Sequence, residues 1–135
     1  MEKVIDHSDL IGKPFKFGGR GPDEYDCWGI VMEVCRRLEI HLPDFGKGCE
    51  YLPQKIHNTQ ESFQDRFILV NSPIPGDIVA FRFPLPNFVG HIAVYIGQNR
   101  IIHTREATNT VCERLNAPQW RKRIYGIYRY RKHIN

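Results

Sequence analysis

The stretch Gly90-His91-Ile92-Ala93-Val94-Tyr95-Ile96-Gly97-Gln98-Asn99-Arg100-Ile101-Ile102-His103-Thr104 decides the architecture. Two short runs rich in Ile and Val flank Gly97-Gln98-Asn99, so they read as antiparallel strands joined by a tight hairpin. Period-2 alternation puts His91 on the face of Ala93 and Tyr95. Pairing about the turn then brings His91 and His103 within cross-strand reach. A lone strand histidine is usually a satisfied structural residue, but two in one hairpin direct attention to a third partner elsewhere in the chain.

Further strands follow outward from the hairpin. Asp77–Phe83 comes after the turn Pro73-Ile74-Pro75-Gly76, and Thr110–Arg114 and Ile124–Arg131 lie downstream, with a helical turn around Pro118–Lys122 between them. Upstream, Cys27, Ile30, Val31, Val34, Cys35 and Leu38 recur on one helical face, predicting a helix from about Asp26 to Glu39 that stops before Leu42-Pro43. Gly12 to Asp26, with four glycines and two prolines, reads as a loop. Val4 to Ile11 reads as a short helical or irregular arm, and the weak pattern of Asp44 to Asn71 holds one helix between Thr59 and Phe67. Helix first and antiparallel sheet second make an α+β fold.

Size and composition set the bounds. The 135 residues are expected to form one domain, 1–135, with its core at about 10–131. The apolar fraction is 41%, the mean hydropathy is −0.43, and no apolar run approaches the ~20 residues of a membrane span, so no membrane insertion is expected. Met1 to Asp6 lacks the apolar stretch of a secretory signal, which implies synthesis in the cytoplasm without a signal peptide. Much of the +4 charge sits in Arg121, Lys122, Arg123, Arg129, Arg131 and Lys132. With no nucleic-acid motif beside it, this cluster reads as a solvated strand edge, and no nucleic-acid partner is expected. Cys27, Cys35, Cys49 and Cys112 include no Cys-x-x-Cys pair and read as reduced thiols, with Cys35 a small core residue.

Cys27 stands at the head of the predicted helix. Unpaired N–H groups and the helix dipole there favour a thiolate, and the same N–H groups can face an oxyanion. Gly29 leaves the approach to Cys27 open on one side, while Trp28 crowds the other. Asp26 occupies the N-cap position and Asp77 the start of a strand, where capping is the ordinary role of each. Three zinc ligands could come from Cys27, His91 and His103, but a structural site needs a fourth, and Cys49 or Cys112 would serve only by coincidence of fold. No metal or cofactor is therefore expected. Gly18-Gly19-Arg20-Gly21 lacks the Gly-Lys-Ser/Thr of a phosphate loop. His7, His41, His57 and His133 have no pattern around them and read as surface residues.

Asp26-Cys27-x-Gly29-Ile30-Val31, Pro75-Gly76-Asp77-Ile78-Val79-x-Phe81, His91-Ile92-x-Val94-Tyr95-Ile96-Gly97 and Ile102-His103 together resemble the NlpC/P60 cysteine peptidases. The resemblance runs from about residue 10 to 130 and takes in Phe15-Lys16-Phe17-Gly18-Gly19, Leu42-Pro43 and Asn116-x-Pro118-x-Trp120-x-Lys122. It implies a papain-like fold, with an N-terminal helix carrying the nucleophile packed on an antiparallel sheet, and cleavage of peptidoglycan stem peptides. By position it makes Cys27 the nucleophile, His91 the general base and acid, and His103 the residue that orients His91.

The chain departs from the family pattern at two places. Phe15 stands where the family usually has Tyr, and Trp28 where it usually has Ser; those hydroxyls help bind substrate beside the Asp matching Asp26. Phe15, Asp26 and Trp28 are thus the implied substrate-binding positions, with Trp28 offering an apolar stacking surface. Loss of both hydroxyls suits a different or more extended substrate and resembles phage and prophage tail-associated members, which implies phage tail proteins as partners and the virion tail as a location. Two other readings keep the fold: a catalytically silent structural tail component, and a thiol acyltransferase or deamidase sharing the same acyl-enzyme.

Overall fold

The computed structural model describes residues 5–44 and 66–133. Helix α1 spans Cys27–Arg37 and is followed by strands β1 (Phe67–Val70), β2 (Ile78–Arg82), β3 (Val89–Gly97), β4 (Arg100–Arg105), β5 (Asn109–Arg114) and β6 (Ile124–Tyr130). Among the described residues these six strands form one sheet in the order β1-β6-β2-β3-β4-β5, each pair antiparallel. The α+β plan expected from the sequence is the one observed.

Alternation along the strands gives the sheet two apolar faces. Ile78, Ala80, Ile92, Val94, Ile96 and Ile102 pack with Ile30, Val31, Val34 and Cys35 of α1, which lies against β3 and β4. The opposite parity, Val79, Phe81, Ala93, Tyr95 and Ile101, packs with Leu115 and Trp120. Cys35 is fully buried with its thiol on Gly76 O at 3.4 Å, as its place on the inward helical face predicts. The β3–β4 turn has Gln98 and Asn99 at φ 52° and 60°, the paired left-handed residues of a two-residue hairpin.

Four features differ from the sequence reading. Helix α1 stops at Arg37, before Pro43 can act, because Glu39 adopts a left-handed φ of 65° and the Leu38 N–H turns back onto the last carbonyls. Phe67, expected to end a helix, opens β1, where it is buried against Tyr130 with ring centroids 5.3 Å apart; Arg66 before it is helical, and the rest of that expected helix lies outside the described residues, as do Cys49 and His57. With β1 added, β6 is an interior strand, so the basic segment is not a sheet edge. Its Arg129 instead reaches the buried Asp77. The loop before α1 is also less irregular than its glycines suggest. It closes the β5 edge through Gly12 N to Thr110 O and Thr110 N to Lys13 O, and covers a strand that would otherwise be open.

Asp77 caps its turn as expected, accepting from Ile74 N at 2.8 Å, and takes a two-pronged contact from Arg129 (Nε to Oδ1 at 2.9 Å, Nη2 to Oδ2 at 2.8 Å). The carboxylate is 0% exposed, so removing it strands a guanidinium that is itself only 19% exposed. Asp77→Ala is expected to cost about 3 kcal/mol, seen as a lower urea midpoint with an unchanged slope.

Candidate active site

Asp26 fixes the start of α1. Its Oδ1 accepts from Gly29 N and Arg20 Nη1, both at 2.7 Å, and its Oδ2 accepts from Gly18 N at 3.1 Å. Arg20 also forks onto Asp44 through Nε and Nη2, each at 3.0 Å. A fully buried carboxylate is tolerable only with such pairing. Capping therefore engages both oxygens of Asp26. A Cβ added at Gly29 would run into Gly19 O. Gly29 thus serves close packing of the loop on the helix, and the space expected to leave Cys27 open is filled by that carbonyl.

Cys27 is the first residue of α1 and 1% exposed, within the apolar cluster on the α1 side of the sheet. Trp28 is 1% exposed and its indole N–H donates to Pro43 O at 3.0 Å, so the surface expected to face substrate is turned into the core. Phe15 packs half-buried on the same cluster, its N–H on Asn109 Oδ1 at 3.1 Å. These positions stand around the helix start, but as packing rather than as exposed contacts.

The two histidines meet directly. His91 Nε2 lies 2.7 Å from His103 Nδ1. The ladder sets Val94 opposite Ile102, so the histidines contact diagonally across the hairpin, not as a facing pair. At the start of β3 the register shifts: Phe81 faces His91 and Arg82 faces Val89, leaving Gly90 as the extra residue. A Cβ at Gly90 would collide with Phe83 O and the Phe88 ring, which demands glycine there.

Around the pair is an aromatic box. Trp120 stacks on His91 (centroids 5.6 Å, 28°) and meets His103 edge-on (5.1 Å, 88°), while Phe81 and Phe83 flank His91 at 5.9 and 5.8 Å. Arg105 lies over the Phe83 and Trp120 rings at 5.3 and 5.8 Å. Burial holds His91 well below the ordinary imidazole range, and repulsion from Arg105, and from His103 whenever that ring is protonated, adds to it. Burial also lowers His103, with Glu113 opposing. His91 is thereby kept a neutral base, with Nε2 committed to His103 and Nδ1 left as the ring nitrogen that can serve a thiol.

Sequence reasoning missed Glu113. On β5 its Oε1 lies 2.6 Å from His103 Nε2 and accepts from Trp120 Nε1 at 3.0 Å, while Oε2 accepts from Gln119 Nε2 at 2.9 Å. The signal was alternation: His103 faces Val111 in the ladder, and Glu113 is two residues along on the same side. The other thiols differ in kind. Burial raises Cys35 far above the usual thiol range and raises the half-buried Cys112 as well. No cluster of three or more metal-ligating side chains occurs among the described residues, and among them no helix is long and apolar enough to cross a membrane.

The chain is 28% identical over 134 residues to the gamma-DL-glutamyl hydrolase of Bacillus subtilis (strain 168), covering 94% of this chain and 28% of that protein. It is 26% identical over 122 residues to the murein DD-endopeptidase MepS/murein LD-carboxypeptidase of Escherichia coli (strain K12), covering 90% and 58%. These relatives are thus longer proteins of which the chain spans roughly a quarter to three-fifths. NlpC1 from Trichomonas vaginalis superposes with a TM-score of 0.63 at 25% identity, over 91% of this chain and 40% of that one. An NlpC/P60 family protein from Bacillus cereus ATCC 10987 shares the fold, with a TM-score of 0.61 at 21% identity over 95% and 41%. The family profile itself matches residues 12–129, which take in α1 and nearly the whole sheet, and the chain belongs to the NlpC/P60 family.

Proposed function

We propose that this chain is a cysteine peptidase that hydrolyses peptide bonds in peptidoglycan stem peptides, with Cys27, His91 and His103 as its catalytic set. The observation that carries the reading is the 2.7 Å His91–His103 contact on strands crossed by the helix that Cys27 begins. His91 shares the sheet face of Ala93 and Tyr95, opposite α1, so the scheme requires Cys27 Sγ, at the head of the helix, to meet His91 Nδ1 around the start of β3, where the bulge at Gly90 turns the strand. His91 Nδ1 takes the thiol proton, and the thiolate attacks the amide carbonyl carbon. The positive end of α1 stabilises the oxyanion as it forms. His91 then protonates the leaving amine, whose C–N bond breaks to give a thioester. A water molecule deprotonated by His91 attacks that thioester, releasing the acid and restoring the thiol. His103 holds the His91 ring in place throughout.

The names of the relatives support the substrate class, since one is called a murein endopeptidase and another a glutamyl hydrolase. The finer reading is a phage or prophage tail-associated enzyme that meets intact stem peptides. It rests on Phe15 and Trp28, neither of which can supply the hydroxyl that family members carry at those positions. Incubation with intact muropeptides and with free stem peptides, followed by mass spectrometry, tests both levels. The reading expects cleavage of the intact material. Cleavage only of peptides with a free N-terminal L-alanine overturns the tail assignment, and a transfer product formed with an added amine replaces hydrolysis by acyl transfer.

A further inference from the structure

We infer that Glu113 is a positioning residue of this site, the fourth member of a relay that sets the protonation pattern of both histidines. The inference rests on the catalytic reading above but on separate observations. Glu113 is ionised: burial works against the charge, yet the hydrogen bonds from His103, Trp120 and Gln119 prevail and keep its carboxyl below the usual range. An ionised carboxylate only accepts, so His103 carries a proton on Nε2, the nitrogen 2.6 Å from Glu113. His103 is held neutral by burial, so its Nδ1 is a lone pair. That lone pair faces His91 Nε2 at 2.7 Å, which places the neutral His91 proton on Nε2. The His91 lone pair is then on Nδ1. Every tautomer follows from one charge on β5.

The same charge acts after proton transfer. When His91 gains the thiol proton, the imidazolium sees His103 Nδ1 directly and Glu113 one ring beyond, which favours the thiolate–imidazolium state over the neutral pair. The other charged groups near the site are fixed. Arg105 lies over Trp120 and Phe83, Arg123 lies over Phe83, and Asp26 at the helix N-cap is neutralised by Arg20. Both arginines disfavour a second positive charge, and the carboxylate that contacts His103 to offset it is Glu113. Glu113 also ties down the turn that carries Trp120, through the indole N–H and Gln119, so the ring over both histidines is anchored by the same residue.

The test separates relay from anchor by measuring Cys27 alkylation with iodoacetamide against pH in wild type, Glu113→Gln and Gln119→Ala. Glu113→Gln keeps the shape and an acceptor oxygen but loses the charge. The relay predicts an alkylation profile shifted up by roughly 0.5–1 pH unit and a kcat lowered roughly 10-fold with KM little changed. Gln119→Ala loosens the anchor and removes only the weakest of the hydrogen bonds that keep Glu113 ionised, so its profile shifts less than that of Glu113→Gln. A wild-type profile in Glu113→Gln, with only a lower melting temperature, overturns the relay and leaves Glu113 a structural clamp. Because alkylation needs no substrate, a shifted profile in a protein that cleaves no stem peptide sustains the relay while rejecting the substrate assignment. The converse result rejects the relay and spares the peptidase.

Discussion

Cys27→Ala is expected to leave a folded protein whose hydrolysis of stem peptides falls by roughly 10⁴-fold or more, to the uncatalysed background. The thiol sulfur is the atom that becomes acylated, and among the described residues the other thiols are poorer nucleophiles. Cys35 is sealed in the core with its thiol held protonated by burial, and burial also raises the Cys112 thiol on β5. Trimming one buried sulfur costs about 1 kcal/mol, too little to unfold the chain. Chromatography of the released amine-bearing fragment gives the rate, and circular dichroism confirms the fold. Equal hydrolysis by wild type and Cys27→Ala rejects the thiol mechanism.

His91→Asn should lower kcat/KM by roughly 10²–10⁴-fold, the range that a general acid–base supplies. It should also change how stability responds to acid. His91 is buried and its folded pKa lies below the ordinary value of about 6.5, so near that pH the unfolded chain binds a proton that the folded chain refuses. Stability is therefore intact above pH ~6.5 and declines as pH falls from there toward the folded pKa. His103 contributes in the same direction. Urea midpoints at pH 7 and pH 5 should differ more for wild type than for His91→Asn. An identical difference in both proteins would show that His91 is not excluded from protonation.

What could be read from the sequence was what local periodicity encodes. The spacing of Ile30, Val31, Val34 and Cys35 specified the α1 face, and the alternation of His91, Ala93 and Tyr95 specified the face of β3, because each pattern repeats within one element. The His91–His103 contact followed from a hairpin only two residues wide. Glu113 was not legible because its meaning depends on β4–β5 register and on Trp120, seven residues along, folding back over it. β1 was hidden for a similar reason. Four residues show no decisive period, and their partner β6 lies some 60 residues downstream. Trp28 reads as a contact surface because the sequence marks it as apolar without saying which way it turns; the Pro43 carbonyl at 3.0 Å decides that. The basic C-terminal segment reads as an edge because its charge is visible in the sequence, whereas the strand beyond it is not.

In the proposed mechanism His91 poises Cys27 as a nucleophile, and selective alkylation reads that poise without any substrate. At about pH 6 an ordinary thiol, with a pKa near ~8.5, is almost wholly protonated. Limiting iodoacetamide on the folded protein, with the label located by mass spectrometry, reads both the ionisation of Cys27 and its accessibility to a small electrophile despite 1% exposure. Cys35 and Cys112, both with raised pKa values, serve as internal references. Rapid label confined to Cys27 and slowed at least tenfold by His91→Asn is the expected result, in line with the contribution of a positioned base. Labelling of Cys27 no faster than of Cys112, or at a rate indifferent to His91, would contradict it.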